Sequence, residues 1–260
     1  MNMEKGNSQN REFLYGINPI STLLEANSGR RRIYNIVISG SRKSDSRIEG
    51  IKRIARGKGI DVSIVPPGDF KDMAPSTEKT QNIMAEVSPY NAPDLDDYLK
   101  AGPGSRLVIL DRVTDVGNFG SIIRNCRAFG FDGIIIARDR SVSPGSRISA
   151  ISAGALEGVR VFRVTNLVRA IKQLKSSGFW IYGTTLEKDK KVQDLEAADF
   201  TFPMALVLGS EDRGMSRLVT ENCDFLISIN LTGSMQSLNV SVAGGIILYR
   251  IQEKYGEAKS

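Results

Sequence analysis

From Arg106 onward, strand-sized apolar runs alternate with helical patterns, and this alternation constrains the fold more than any other feature of the chain. The runs cover residues 107–110, 133–137, 159–163, 179–184, 205–209 and 225–231, with helices expected near 118–129, 147–153, 167–176, 217–222 and 237–252. Strands that are apolar throughout, rather than at every second residue, must be covered on both faces. With helices between them, they predict an α/β fold built on a parallel sheet. In such folds ligands sit beyond the carboxyl ends of the strands.

Three of these strand ends are rich in glycine and polar residues. One follows Leu110 and runs from Asp111 to Gly130, the second spans Leu206 to Ser216, and the third spans Ile229 to Tyr249. The third enters a helix expected from Ser237, with Leu238, Val242, Ile246 and Tyr249 spaced as one buried stripe. Its strand-to-helix junction carries Asn230, Thr232, Ser234, Gln236, Ser237, Asn239 and Ser241. A helix cap needs one such residue. A ligand site accounts for the rest, because a helix N-terminus beyond a strand attracts anions and nucleotides. No Gly-x-Gly-x-x-Gly opens a helix and no Gly-x-x-x-x-Gly-Lys is present, which excludes ordinary dinucleotide and P-loop sites.

Composition narrows the chemistry. The 260 residues contain no histidine, which removes His-based metal centres, Ser-His triads and imidazole acid–base catalysis. No metal is expected. Cys126 and Cys223 do not suggest a disulfide framework, the polar start at residues 1–10 lacks a signal-peptide core, and no apolar run is long enough for a membrane span. A cytoplasmic protein without membrane contact is expected. Net charge is +6, but residues 28–60 alone hold ten Lys/Arg against two acids, 10 − 2 = +8. A second basic group, Arg124, Arg127, Arg138, Arg140, Arg147, Arg160 and Arg163, adds to the case for a polyanionic partner, nucleic acid above all.

The front of the chain reads as a small α/β unit. A short helix capped by Asn18 with Pro19 in its first turn leads to a strand at 33–39 and a basic helix at 47–58. A strand at 60–65 stopped by Pro66-Pro67-Gly68 and a strand at 82–88 follow. The expected organisation is a domain at 12–90, a Pro/Gly-rich linker at 91–105 with one helical turn after Asp94, and a second domain at 106–260.

Three motifs in order, Asn118-x-Gly120-x-x-x-Arg124, Leu208-Gly209-x-Glu211-x-x-Gly214 and Ser237-Leu-Asn239-Val-Ser241, resemble the SpoU (TrmH-type) RNA ribose 2′-O-methyltransferases of the SPOUT superfamily. The resemblance runs from about Arg106 to Glu253. The front unit, with Tyr15-Gly-Ile-Asn-Pro19, is similar to the family's ribosomal-protein-like RNA-binding extension. The resemblance implies S-adenosylmethionine as methyl donor, a C-terminal trefoil knot and a homodimer whose site draws on both chains. Catalysis would fall to Arg124, oriented by Asn118 and Glu211, with Ser237 and Asn239 holding ribose or cofactor. Leu208, Gly209, Ser210, Ile229, Leu231, Gly233, Ser237 and Leu238 would line the cofactor. Arg124 either removes the 2′-hydroxyl proton or stabilises the developing alkoxide. The members most similar act on a guanosine of 23S ribosomal RNA. A transfer-RNA methyltransferase, or a non-catalytic RNA-binding or ribosome-assembly protein on the same fold, are the alternatives. Three positions depart from the family pattern: Val116-Gly117 stands for Asp-Pro, Asp212 for Gly, and Thr80-Gln81-Asn82 for His-Gln-Gly.

Overall fold

The computed structural model describes residues 11–26, 29–42, 45–74, 80–187, 192–234 and 236–257. The chain forms two compact units. One comprises Met1–Asn91 with Pro144–Gly158, the other Ala92–Ser143 with Val159–Ser260.

The first unit opens with β1 (Glu12–Tyr15), α1 (Ile17–Ala26), β2 (Ile33–Ser39), α2 (Ser46–Gly57), β3 (Asp61–Val65), α3 (Pro67–Met73) and β4 (Ile83–Val87). Its sheet runs β1-β4-β2-β3, with β4 antiparallel to both neighbours and β2 parallel to β3. Alternate residues Leu14, Ile36, Ile38, Ile83, Ala85 and Val87 face α1 and α2, which contribute Ile20, Leu24, Ile48 and Ile51. On the opposite face Phe70 of α3 covers Val37 and Met84.

Several local expectations change. Helix α1 begins at Ile17, before the expected Asn18 cap, because the Gln81 side chain accepts a hydrogen bond from Ile17 N at 2.9 Å and satisfies the helix start from 64 residues away. Gln81 and Asn82 both adopt left-handed backbone, φ 51° and 61°. Asn82 thus serves where the family pattern has glycine, asparagine being a residue that tolerates this region. Helix α3 was not expected, since Pro66-Pro67-Gly68 read only as a strand stop. Pro67 stands at the first helical position, where its missing N–H costs nothing. Strand β1 was also missed, being four residues long.

The second unit begins with α4 (Leu95–Lys100), capped by Asp94 inside the expected linker, then β5 (Arg106–Asp111), α5 (Val116–Ala128) and β6 (Gly133–Ala137). The chain next contributes α6 (Ser146–Ile151) and α7 (Ala155–Gly158) to the first unit. It resumes with β7 (Arg160–Val164), α8 (Leu167–Ser176), β8 (Trp180–Thr184), β9 (Val192–Asp194), β10 (Met204–Gly209), α9 (Arg217–Thr220), β11 (Phe225–Ser228) and α10 (Val240–Glu257). The sheet order is β7-β6-β5-β10-β8-β11-β9, and every neighbouring pair is parallel. Strands β5 and β10 are buried along their whole length. Strand order reverses between them, which puts the crevice at their carboxyl ends.

The segment Pro144–Gly158 departs from the expected domain 106–260. Its place in the first unit rests on close packing and on charge. A Cβ at Gly154 would lie 2.7 Å from Pro19 N and 2.8 Å from Asn18 O, so only glycine, here at φ 85°, allows α1 to approach. Arg31, wholly buried, pairs with Glu157, also wholly buried, at 3.3 Å and with Glu12 at 2.9 Å. Glu12 accepts in turn from Ser146 N at 3.1 Å and Ser146 Oγ at 2.7 Å. Arg31 is therefore an internal cation, not part of the solvated basic surface expected for residues 28–60. Lys43 of that stretch lies outside the described residues.

Helix α10 corrects a second expectation. Its buried positions are Val240, Gly244, Ile247, Leu248 and Ile251, while Val242, Ile246 and Tyr249 are about half exposed. The helix carries apolar residues on two faces, and Gly244 selects the buried one: a Cβ there would meet Leu208 at 3.0 Å. No helix among the described residues is long and apolar enough to cross a membrane.

Candidate active site

The site is built at the carboxyl ends of β5 and β10. Beyond β10 the loop turns straight back, Ser210 N donating to Gly214 O at 3.2 Å and Gly214 N to Ser210 O at 2.9 Å. Gly209 makes this possible, since a Cβ there would stand 2.3 Å from the carbonyl carbon of Gly214. Buried Asp111, at the end of β5, accepts from Ser216 N at 2.6 Å and ties down the far side of the loop. The turn presents Glu211 at its tip.

Glu211 Oε1 is the meeting point of all three sequence motifs. It accepts from Asn118 Nδ2 at 2.9 Å, from Val240 N at 3.1 Å and from Asn239 Nδ2. Asn239 Nδ2 also donates to Asn118 Oδ1 at 3.0 Å, while Asn239 Oδ1 accepts from Ser241 N at 3.0 Å and Ser241 Oγ at 2.6 Å. Asn239 is thus both the cap of α10 and a member of the net, which is why the helix starts at Val240 and not at Ser237. Asn118 is oriented from its own helix, its N donating to the Asp115 carboxylate at 2.7 Å. Oε1, with three donors on it, is fully used as an acceptor and clamps the three segments together.

Beside the net lies a pocket of about 360 Å³. Leu208, Gly209, Ser210, Ile229, Leu231, Ser237 and Leu238, seven of the residues expected around a ligand, line it. Gly233 lines an adjoining hollow with Asn230, Ser234 and Gln236. The sequence reading missed Thr184, Thr185, Leu186 and Glu187, which close the pocket from the end of β8. The Thr184-Thr185 pair ends an apolar strand and could have been found by the strand-end rule; Thr184 Oγ1 donates to Val207 O at 3.1 Å. Among the described residues no group of three or more His, Cys, Asp or Glu is arranged to hold a metal.

Arg124 stands apart. Asp115 caps α5 and the helix starts at Val116, which makes Arg124 its ninth residue, more than two turns from the start. Six residues after Asn118, at about 100° each, it lies roughly 240° round the helix. Ile122, Ile123 and Cys126 occupy the core face, and Arg124 is exposed, with no hydrogen bond or ion pair among the described residues.

The sequence profile described as the SpoU rRNA methylase family matches residues 105–249 of this chain, more than half its length. The chain belongs to the SpoU methylase family. A second profile, described as RNA 2′-O-ribose methyltransferase substrate binding, matches residues 13–93. The Bacillus subtilis protein YacO, named for the TrmH family of tRNA/rRNA methyltransferases, is 34% identical over 251 residues, covering 95% of this chain and 97% of that protein. A Staphylococcus aureus protein of the same family name is 38% identical over 241 residues, covering 87% and 94%. Among solved structures, the SpoU methyltransferase AviRb of Streptomyces viridochromogenes, in complex with the cofactor AdoMet, aligns with a TM-score of 0.74 at 26% identity, over 95% of this chain and 91% of that one. This SpoU methylase is an RNA methyltransferase.

The family departures have local explanations. Val116-Gly117 forms the first turn of α5 without a proline, because Asp115 supplies the cap. Asp212 is exposed within the turn that carries Glu211 and takes no part in the net.

Proposed function

We propose that this SpoU methylase transfers the methyl group of S-adenosylmethionine to a ribose 2′-hydroxyl of RNA, a guanosine of 23S ribosomal RNA being the favoured target. The observation that carries the reading is the net of Asn118, Glu211 and Asn239, which ties three distant segments together beside a pocket that Glu211 and Val240 line. The pocket chemistry suits an adenosine. Main chain at Leu208, Gly209, Ile229, Leu231 and Leu238 offers the N–H and C=O groups that read a base, and apolar Leu208, Leu238 and Ile247 cover its faces. When bound, the cofactor supplies a sulfonium-activated methyl group. The protein's share is placement of the 2′-oxygen and management of its proton. Ser237 holds the ribose edge of the site in this reading, and Asn239, whose amide is engaged with Glu211, Asn118 and Ser241, positions that edge through the net.

Arg124 is the residue assigned to the hydroxyl. A guanidinium stays protonated, so stabilising the developing alkoxide suits it better than taking the proton. From its exposed place on α5 it acts on the pocket of a second copy, and the stripe Val242, Ile246 and Tyr249 is the surface on which two copies meet. The family's C-terminal trefoil knot, a cytoplasmic location and independence of metal belong to the same reading. The front unit, with its substrate-binding profile, favours ribosomal over transfer RNA.

Two measurements test this. Calorimetry should give S-adenosylmethionine binding that a chelator leaves unchanged. Mapping of 2′-O-methylation in ribosomal and transfer RNA from cells lacking the protein should reveal one lost mark in 23S RNA. A lost transfer-RNA mark would move the substrate, and absence of cofactor binding would remove the enzymatic reading. For the shared site, equal amounts of the inactive variants Arg124→Ala and Asn239→Ala are mixed and allowed to exchange subunits. Half the dimers then hold one intact site, so about a quarter of wild-type activity should return; no recovery would place Arg124 in its own chain's site.

A further inference from the structure

The sheet of the first unit gives one face to α1 and α2 and leaves part of the other to solvent. Register sets Phe13 opposite Glu86, Glu86 opposite Asn35, and Tyr15 opposite Met84. The alternation that sends Leu14 and Ala85 into the core therefore sends Phe13 and Tyr15 to the opposite face. There α3 places Phe70 over Val37 and Met84, with Tyr15 packed alongside, and Phe13 remains 42% exposed beyond that cover. The Phe13 and Tyr15 rings stack at 6.4 Å with 22° between their planes.

A β-bulge between Ile33 and Asn35 adds charge to this aromatic row. Tyr34 is the extra residue, and its ring lies 4.4 Å from the Arg11 guanidinium and 5.4 Å from that of Arg32. Arg11 is held in place by Glu86 at 2.7 Å. An exposed ring on a strand gains little for stability, and exposed ion pairs such as Arg11–Glu86 contribute little as well. An exposed ring beside guanidiniums matches unpaired nucleotides, whose bases stack on rings or guanidinium planes and whose phosphates pair with cations.

We propose that Phe13, with Arg11, Tyr34 and Arg32, forms a stacking platform for unpaired bases of the RNA substrate. The inference rests on the RNA methylation reading above and assigns a part of the substrate, a single-stranded stretch, to one face of the front unit. Phe13 takes a base and Arg32 a flanking phosphate.

The test uses the full chain and a single-stranded RNA of roughly ten nucleotides carrying 2-aminopurine. Binding should quench the probe. Phe13→Ala should weaken affinity about tenfold and abolish the quench. Phe13→Leu, which keeps apolar volume on the strand without a ring, should behave as the Ala variant, and Phe13→Trp should retain both signals. S-adenosylmethionine binding should be the same in all. Wild-type RNA binding with variant affinities within about twofold of it would overturn this inference alone. So would a Leu variant that behaves as wild type, which would make Phe13 a packing residue. A Phe13→Ala change that alters sedimentation but not RNA affinity would also overturn it, making the face a contact between copies. A wild-type chain that binds cofactor and no RNA would overturn the proposed function and this inference together.

Discussion

The two units use polar side chains in opposite ways. In the second unit Asn118, Glu211 and Asn239 hold one another where strands end, and all three keep contact with solvent. In the first unit Arg31 and Glu157 are sealed from water altogether. A polar net at a rim keeps groups oriented and reachable. A sealed ion pair can do neither for a substrate, and its desolvation cancels much of its attraction. What the sealed pair does is fix one arrangement of α7 and β2, since any other leaves a bare charge inside. The comparison separates polar groups kept for chemistry from those kept for a unique packing.

The largest expected effect breaks the sealed pair. Arg31→Ala leaves Glu157 buried and unpaired, for a loss of about 3–5 kcal/mol in the first unit. Trp180, the chain's sole tryptophan, lies in β8 and reports only on the second unit, so amide exchange in α1 and β2 is the measurement to make. Arg31→Met with Glu157→Leu should regain most of the loss, because two apolar groups need no partner. If Arg31→Ala leaves exchange unchanged, the pair does not organise that unit.

Next comes Arg124→Ala, which should slow methyl transfer by a hundredfold to a thousandfold, about 2.7–4 kcal/mol in the barrier, with cofactor binding and fold intact. Arg124→Lys should rescue poorly, because an ammonium does not reproduce the planar donor fork. Single-turnover rates at saturating RNA and cofactor isolate the step. An Ala variant within about threefold of wild type would remove Arg124 from the chemistry.

A smaller effect is expected at the clamp. Glu211→Gln keeps one oxygen for Asn118, Asn239 and Val240 but replaces charge-assisted bonds with neutral ones, a loss of about 1.5–3 kcal/mol. It should appear as weaker cofactor binding, with residual turnover at high cofactor. Abolished turnover with normal cofactor affinity would make Glu211 a participant in proton transfer instead.

How much of this was legible in the sequence follows from the range of the interactions concerned. The parallel strands were readable because burial on both faces leaves continuous apolar runs, and the net's three members because each sits in one of the three motifs that carry the family resemblance. The α10 stripe was misassigned because Val242, Ile246 and Tyr249 form as good an apolar face as Val240, Ile247 and Ile251, and Gly244 decides between them only in three dimensions. Gln81 as the cap of α1, and Glu157 as the partner of Arg31, join residues 64 and 126 apart by number (81 − 17 and 157 − 31). Nothing local marks either. The helix expected from 118 begins at Val116, because Asp115 caps it through a side-chain hydrogen bond to Asn118 N.

The smallest expected effect sharpens the comparison by pH. Burial pushes the Glu157 carboxyl above its ordinary range, while the Arg31 and Arg30 cations pull against it and the Glu12 charge adds to the upward push. A carboxyl raised in the folded state favours folding in acid, and that contribution drains away as pH rises through its folded value. Glu157→Gln holds the position uncharged at every pH, so it lacks the loss. Glu12 shifts the other way: burial pushes it up, but hydrogen bonds from Ser146 and Arg31 and the Arg31 charge outweigh that and hold it low, so its contribution is lost in acid. Being present in both proteins, it cancels to first order in their comparison. Amide exchange of α1 and β2 should therefore show the Gln variant gaining on wild type as pH rises above the ordinary carboxylate range. A difference that stays flat, or moves toward wild type, would mean that Arg31 holds Glu157 ionised against burial. The sealed pair would then stabilise the fold outright, and the contrast with the solvent-facing net would be one of place and not of purpose.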